Sequence, residues 1–134
     1  MKFIELSGAA IIKNNKLLLI RKIKEKHYEF PGGKVENNET LEQTAIRETK
    51  EEINCEIKII KYLGYVEFSV NDKNLRSHKF LSKIKDNQEP KIIEKDKFDD
   101  IIWLDLNEYK NNEENQKYKL APNVIEFIKK ERFK

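Results

Sequence analysis

Apolar stretches separated by polar turns divide most of the chain into β-strands. The pattern predicts strands at residues 3–12, 17–21, 56–68, 75–84 and 100–104. A polar turn at residues 13–16 joins the first two strands, and Gly64 is expected to form a bulge or bend. Residues 28–30 are predicted to be a short extended piece, because Phe30 precedes a proline. The Pro31-Gly32-Gly33 segment that follows predicts a tight loop.

Two longer segments have the spacing of helices. The first begins near Thr40, with Asn38 or Thr40 as the capping residue. Its apolar or small side chains recur at every fourth position, at Leu41, Ala45, Thr49 and Ile53. The second covers residues 122–133, and a short helix is expected at residues 106–109. Strands combined with two or three helices outside strict alternation predict the α+β class, with a mixed sheet flanked by helices.

The first helix also brings three carboxylates together. Glu48, Glu51 and Glu52 lie within four residues of one another, so a helix places them on one face. This arrangement is repulsive and is not expected for stability alone. A hard, oxygen-seeking cation such as Mg²⁺ or Mn²⁺ would remove the repulsion. The pattern therefore indicates a divalent metal site.

The segment from Gly33 to Cys55 resembles the signature of the Nudix hydrolases. Their frame is a Gly, a Glu, an Arg-Glu pair and a Glu-Glu pair at fixed intervals. This sequence has the frame residues at Gly33, Glu39, Arg47, Glu48, Glu51 and Glu52. Three positions depart from the pattern, since Thr49 and Cys55 replace aliphatic residues and Asn54 replaces a Gly. Asn is the non-Gly residue best suited to a left-handed helix end, so the helix can still terminate there.

The resemblance implies an α/β/α sandwich of the Nudix fold, with residues 1–134 as a single hydrolase domain. It implies that Glu48, Glu51 and Glu52 bind the metal and take part in catalysis. Glu48 and Glu52 both remain open as the base that deprotonates the attacking water. The carbonyl of Gly33 is a further expected metal ligand, because a Gly lets the backbone approach the ion closely.

Three other residues of the segment have expected roles. Arg47 is grouped with the catalytic residues, because it lies four residues before Glu51 and is expected to orient that carboxylate through an ion pair. Glu39 is expected to tether the loop to the start of the helix. Lys34 is expected to reach a phosphate of the substrate.

A further acidic metal ligand is implied from a later loop. Glu94 and Asp96 are the candidates, ahead of Asp99 and Asp100, and Glu94 is taken as the predicted ligand.

The segment at residues 28–36 resembles the MutT-like branch of the family, which cleaves nucleoside triphosphates to monophosphate and pyrophosphate. Four residues are therefore predicted on the substrate side: Lys22, Phe30, Lys34 and Asn123. Phe30 is expected to stack on the base, with core packing as its alternative role. Asn123 is expected to recognise the base through its amide, and capping of the last helix is its alternative role. Lys22 is expected near the base, with solvation as the alternative.

Composition excludes several other classes of function. The chain has 27 Lys and Arg against 24 Asp and Glu, a net charge of +3, which is too balanced to indicate nucleic-acid binding. A single Cys cannot form an internal disulfide and favours a reducing cytoplasm. No apolar run is close to the length of about 18 residues that a membrane-spanning helix needs. The expected partners are a small nucleotide and, in a homodimer, a second copy of the chain.

The predicted function is Mg²⁺-dependent cleavage of a nucleoside triphosphate, with an oxidised nucleotide such as 8-oxo-dGTP as a candidate substrate. Two alternatives stay open. One is hydrolysis of ADP-ribose, a nucleotide sugar or a dinucleoside polyphosphate. The other is a Nudix-fold module that binds a nucleotide without cleaving it.

Overall fold

The computed structural model describes residues 2–111, 117–130 and 133. Its strands are β1 (Ile4–Lys13), β2 (Lys16–Lys22), β3 (His27–Glu29), β4 (Gly32–Lys34), β5 (Ile57–Val70), β6 (Lys73–Ile84) and β7 (Phe98–Asp105). Its helices are α1 (Leu41–Ile53), α2 (Leu106–Asn111) and α3 (Pro122–Lys129), and a 3₁₀ turn covers Lys85–Asn87. Within these ranges, no helix is long and apolar enough to cross a membrane.

Strand β1 is the centre of a mixed sheet. Its first part lies between β6, to which it is parallel, and β4, to which it is antiparallel. Its last residues pair with β2, which also pairs with β3 and β7. Strand β5 pairs with the far side of β6. This topology sets β4 and the start of α1 beside the middle of the sheet.

Helices cover the two faces of the sheet. Ile53 of α1 packs with Ala9 and Ile11 of β1 in one apolar cluster. Successive strand residues face opposite sides, so Ala10 points the other way and packs in a second cluster with Phe127 of α3. The structure therefore confirms the predicted α+β class, with a mixed sheet between helices.

Local sequence signals fix both ends of α1. Thr40 is the capping residue, and its hydroxyl accepts a hydrogen bond from the backbone N–H of Gln43 at 3.1 Å. The Gln43 side chain accepts from the backbone N–H of Thr40 at 2.9 Å, which completes a capping box. At the other end Asn54 has φ 58°, as predicted for a left-handed helix end. These caps orient the glutamate face of α1.

Some boundaries differ from the sequence predictions. The predicted tight loop at residues 31–33 instead runs into strand β4, because the backbone of Gly32 and Gly33 pairs with β1. The last helix ends at Lys129 and not at residue 133, since no apolar residue follows Ile128 until Phe133. Residues 131 and 132 of the predicted helix lie outside the described residues. Gly64 does lie at a register shift of β5, with φ 94°, as predicted.

Candidate active site

Arg47 of α1 fastens the helix to the loop that precedes it. Its Nε donates to Oε2 of Glu39 at 2.6 Å and its Nη2 donates to Oε1 at 3.0 Å, so the guanidinium holds both carboxylate oxygens. Nη2 also donates to the carbonyl of Lys34 at 3.2 Å. The expected ion pair with Glu51 is longer, at 3.3 Å. Glu39 is therefore the main partner of Arg47.

Glu39 makes the contacts expected of a tether between the loop and α1. Its carboxylate accepts from the hydroxyl of Thr44 at 2.6 Å and from the backbone N–H of Glu36 at 3.1 Å. The hydrogen bonds from Arg47, supported by that from Thr44, lower the pKa of Glu39 to about 2. The carboxylate is therefore ionised at neutral pH and its position is fixed.

Glu52 lies on the inner side of α1, against β4. The residue is only 5 % exposed, and its Oε1 accepts from the backbone N–H of Gly32 at 2.8 Å. Burial raises its pKa to about 9, the Gly32 hydrogen bond opposes this, and the negative charges of Glu48 and Glu94 add to it. A buried carboxylate with two negative neighbours is unfavourable without a compensating positive charge.

Glu48 lies against the backbone of the same strand. A Cβ atom on Gly33 would collide with the Glu48 carboxylate, so only glycine permits this contact. Nη1 of Arg47 donates to Glu48 at 3.0 Å. Burial raises the pKa of Glu48, and the negative charges of Glu51 and Glu94 also raise it, against the effect of Arg47.

The loop before β7 brings Glu94 close enough for its charge to act on Glu48 and Glu52. The backbone N–H of Ile93 donates to the carbonyl of Glu52 at 3.1 Å, which fastens this loop to the end of α1. The Glu94 charge then raises the pKa of both Glu48 and Glu52. Lys97 pairs with Glu94 at 3.2 Å from the exposed side. Glu94 therefore adds negative charge near both carboxylates, and its role as a metal ligand stays a prediction.

The other acids of this region have different surroundings. Asp99 accepts from Arg21 at 2.7 Å, and Asp100 accepts from the hydroxyl of Tyr28 at 2.6 Å. Asp96 is exposed. These surroundings distinguish Asp96, Asp99 and Asp100 from Glu94, whose charge acts on Glu48 and Glu52.

The donor set fits a hard divalent cation. The group offers carboxylates and the adjacent backbone, and oxygen is the ligand that Mg²⁺ and Mn²⁺ prefer. Glu48 and Glu52 carry raised pKa values that a cation would relieve, and Gly33 leaves room beside Glu48. Glu51 is different, because its side chain is 50 % exposed and contacts Arg47. Across residues 2–111, 117–130 and 133, no three acidic, His or Cys side chains converge into a preformed metal site.

The residues predicted on the substrate side are spread around the sheet. Phe30 is 5 % exposed, and its ring packs edge-on against Phe127 at 5.6 Å and Phe133 at 6.3 Å. This is the core packing that the sequence left as its alternative role. Asn123 lies in the first turn of α3, where Ala121 is the N-cap, so the alternative role of Asn123 as the cap is wrong. The half-buried Asn123 amide lies in the helix that packs over Phe30.

The two predicted lysines occupy opposite borders of this region. Lys22, at the end of β2, pairs with Glu29 at 3.3 Å. Lys34, at the end of β4, is exposed and lies one residue after Gly33. Lys34 is paired with Leu6, one position from the pair of Ser7 and Gly33, so its side chain starts on the face of the sheet opposite Glu48. The charge of Lys22 lowers the pKa of Glu52.

Sequence reasoning missed Lys79. It lies on β6 and is only 4 % exposed, and its Nζ lies 5.3 Å from the centre of the Phe30 ring. A Lys in an alternating strand is normally expected to face solvent, so the sequence alone carries no signal for it. The neighbouring His78 points to the other face, where it bonds to Glu5 at 2.6 Å and Tyr62 at 2.7 Å.

A comparison with known families assigns the fold. The sequence model described as the NUDIX domain matches residues 6–124. The chain belongs to the NUDIX family. The matched region of this NUDIX protein runs from β1 into the first turn of α3, so it includes both the glutamate face of α1 and Asn123.

Solved structures and curated relatives agree with the assignment. The crystal structure of the MutT NUDIX hydrolase from Burkholderia pseudomallei has the same fold, with a TM-score of 0.82 at 21 % identity over 96 % of this chain and 98 % of that one. YtkD of Bacillus subtilis is 50 % identical over 46 residues, which are 34 % of this NUDIX chain and 29 % of YtkD. The 8-oxo-dGTP diphosphatase of Proteus vulgaris is 33 % identical over 79 residues, 56 % of this chain and 70 % of the relative. The YtkD match thus spans less than a third of that relative.

Proposed function

We propose that this NUDIX protein is a Mg²⁺- or Mn²⁺-dependent hydrolase that cleaves a nucleoside triphosphate to nucleoside monophosphate and pyrophosphate. Oxidised purine nucleotides such as 8-oxo-dGTP are among its substrates. The observation that carries the proposal is the pair of carboxylates, Glu48 and Glu52, set against the Gly32-Gly33 backbone with the charge of Glu94 nearby. The name of the Proteus vulgaris relative supports the substrate class. The proposal treats residues 1–134 as one catalytic domain.

The residues that would hold the cation are Glu48, Glu52 and Glu94, with Glu51 and the Gly33 carbonyl completing the oxygen donors. A divalent cation bound there would neutralise phosphate charge and lower the pKa of the attacking water. Either Glu48 or Glu52 accepts the proton of that water. The water oxygen bonds to one phosphorus of the phosphoanhydride between the α- and β-phosphates, the bond from that phosphorus to the bridging oxygen breaks, and the other phosphate group leaves with the bonding electron pair.

Other residues act through position and charge. The exposed ammonium of Lys34 follows Gly33 directly and can contact the phosphates. Arg47 touches no substrate in this scheme. Through Glu39 and the carbonyl of Lys34, it fixes α1 relative to β4, and so it fixes Glu48 relative to Gly33.

Product chromatography with Mg²⁺ tests the proposal. The panel contains dNTPs, 8-oxo-dGTP, NTPs, ADP-ribose and diadenosine tetraphosphate. We expect monophosphate and pyrophosphate from a triphosphate, and loss of both products in Glu52→Gln. Cleavage of ADP-ribose or the dinucleotide alone would keep the NUDIX chemistry and overturn the substrate class. Tight nucleotide binding without any turnover would instead favour a binding module.

Two further features belong to the proposal. The protein acts in the cytoplasm, where nucleotides are abundant and the buried thiol of Cys55 stays reduced. It assembles as a homodimer, which light scattering of the purified chain tests directly.

A further inference from the structure

Lys79 is a buried cation that the proposed chemistry does not use. The residue is 4 % exposed on β6, and it takes no part in the hydrogen bonds around Arg47. The negative charges of Glu29 and Glu52 raise the pKa of Lys79 through space. Within the described part of the chain, neither glutamate forms an ion pair with Lys79. Burying an ammonium without a bonded counter-charge is costly, so this position calls for an explanation beyond packing.

The ammonium keeps hydrogen-bonding capacity. Nζ donates to the hydroxyl of Ser77 at 2.7 Å and, at the limit of a hydrogen bond, to the carbonyl of His78 at 3.4 Å. An ammonium has three protons and no acceptor, so one proton has no partner among the described residues. Burial and the charge of Lys22 lower the pKa of Lys79 to about 8, against the raising effect of Glu29 and Glu52. In its ammonium form the group can offer its third proton to a ligand.

The strand residues paired with Lys79 are both glycines, Gly8 of β1 and Gly64 of β5. The backbone of Pro31 and Gly32 occupies the space over Gly8, so a ligand can approach Lys79 only from the side of Gly64 and β5. The Phe30 ring, whose centre is 5.3 Å from Nζ of Lys79, lies on the face that α3 covers. Asn123, the predicted base-recognition residue, is carried by the same helix.

An apolar surface leads outward from Lys79 along this face. The next row pairs Leu6 and Val66 with Ser77, and the row beyond pairs Phe68 with Leu75. Leu6 and Val66 are half-buried and Phe68 is exposed, so the surface opens away from the lysine. An open apolar surface with a few buried polar groups at its inner end is the usual composition of a small-molecule site.

The same surface borders the proposed phosphate side. Leu6 and its partner Lys34 lie on the face of Lys79, whereas Ser7 and Gly33 face the glutamates on the other side of the sheet. Among the described residues β4 pairs only with β1, so a nucleotide whose phosphates reach the glutamates around the outer edge of β4 can place its base on this apolar surface, with its inner edge toward Lys79.

We infer that Lys79 recognises the base, by donating a hydrogen bond from its ammonium to an exocyclic oxygen on the inner edge. This inference rests on the proposed function and deepens it. The pocket then selects bases with an oxygen at that edge, such as hypoxanthine, guanine or uracil, over bases with an amine there. An exocyclic amine would face the ammonium donor to donor and leave both groups unsatisfied.

The test compares kcat/KM for two matched pairs, dITP against dATP and dUTP against dCTP, with Mg²⁺. Each pair differs by an oxygen or an amine at the recognised edge. We expect the wild type to favour the oxygen-bearing member at least tenfold in one pair. Lys79→Met should reduce that ratio at least tenfold, mainly through KM of the favoured substrate. Lys79→Gln should reduce it less, because an amide both donates and accepts. The matched control is Lys83→Met, an exposed lysine of the same strand, which should leave the ratio unchanged.

The outcomes separate this inference from the proposed function. Turnover with a ratio near one in the wild type, or with an unchanged ratio in folded Lys79→Met and Lys79→Gln, would overturn the inference alone. A change in thermal stability with an unchanged ratio would make Lys79 only a counter-charge for Glu29 and Glu52. No turnover of any of the four nucleotides or of 8-oxo-dGTP would overturn the proposed function and the inference together.

Discussion

Replacement of Arg47 by Lys keeps the positive charge but removes the planar fork of the guanidinium. In the structure this fork holds both oxygens of Glu39, at 2.6 and 3.0 Å, and also donates to the carbonyl of Lys34 at 3.2 Å. A lysine ammonium reaches one of these acceptors at a time. Arg47→Lys therefore disconnects β4 from α1 while leaving the net charge of the protein unchanged.

The cost follows from the bonds lost. Hydrogen bonds to charged groups contribute about 1.5–3 kcal/mol each, and the substitution loses two or more of them. The Arg47 side chain is 26 % exposed, so solvent screening places each bond at the lower end of that range. We expect the free energy of unfolding to fall by about 3 kcal/mol. We also expect a fall of about 10–100-fold in kcat, because Glu48 loses its support beside Gly33.

Urea unfolding at neutral pH measures the first quantity, and initial rates on the favoured nucleotide measure the second. The matched control is Arg21→Lys. Arg21 has a similar side-chain exposure of 30 %, and within the described part of the chain its guanidinium forms one ion pair, with Asp99, which a lysine can reproduce. A loss below about 0.5 kcal/mol for Arg47→Lys, equal to that of the control, would refute the assignment of Arg47 as the link between β4 and α1.

Three further predictions follow from the site and its supports. Hydrogen bonds from Arg47 lower the pKa of Glu39 from 4.5 to about 2. The ionised Glu39 carboxylate therefore adds its full stability above pH 4.5, and this stability is lost as the pH falls toward 2. The difference in unfolding free energy between wild type and Glu39→Gln should therefore close over that window in urea titrations, and a constant difference would contradict it. Gly33→Ala should lower Mg²⁺ affinity and kcat at least tenfold with little change in Tm, because the new Cβ displaces the Glu48 carboxylate. Titration calorimetry with Mg²⁺ measures the affinity, and an unchanged value would show that Gly33 is not part of the site. Asn54→Ala should lower the free energy of unfolding by about 1 kcal/mol, because alanine is strained at the left-handed helix end, where φ is 58°. Asn54→Gly should leave the free energy of unfolding unchanged. Equal thermal stabilities of the two variants would argue against the cap.

Much of the fold was predictable because its signals are local. The capping residue Thr40 and the left-handed Asn54 depend on neighbours within a few positions, and both are where the sequence places them. The strand pattern likewise follows from alternation along the chain. The missed strand β4 is different, because Gly32 and Gly33 have no strand propensity of their own. They pair with β1 because Gly8 lets the two backbones approach closely.

The site was predicted in part for the same reason. Helical spacing identifies Glu48, Glu51 and Glu52, but it cannot show that Glu52 is buried while Glu51 is exposed. It also favours the i,i+4 pair of Arg47 with Glu51, whereas the stronger partner is Glu39, which lies eight residues away. That contact depends on how the loop folds back on the helix.

The central claim is that carboxylates of α1 support metal-dependent cleavage of a nucleotide. The most direct test is the rate of pyrophosphate release from 8-oxo-dGTP and dGTP, with and without Mg²⁺, by the wild type and Glu52→Gln. The glutamine can keep the hydrogen bond from Gly32 and replaces only the ionisable oxygen that would bind the cation, so the variant should fold as well as the wild type. We predict Mg²⁺-dependent release by the wild type and a loss of several orders of magnitude in the variant. A rate that is independent of Mg²⁺, or a folded variant with near wild-type activity, would contradict the account.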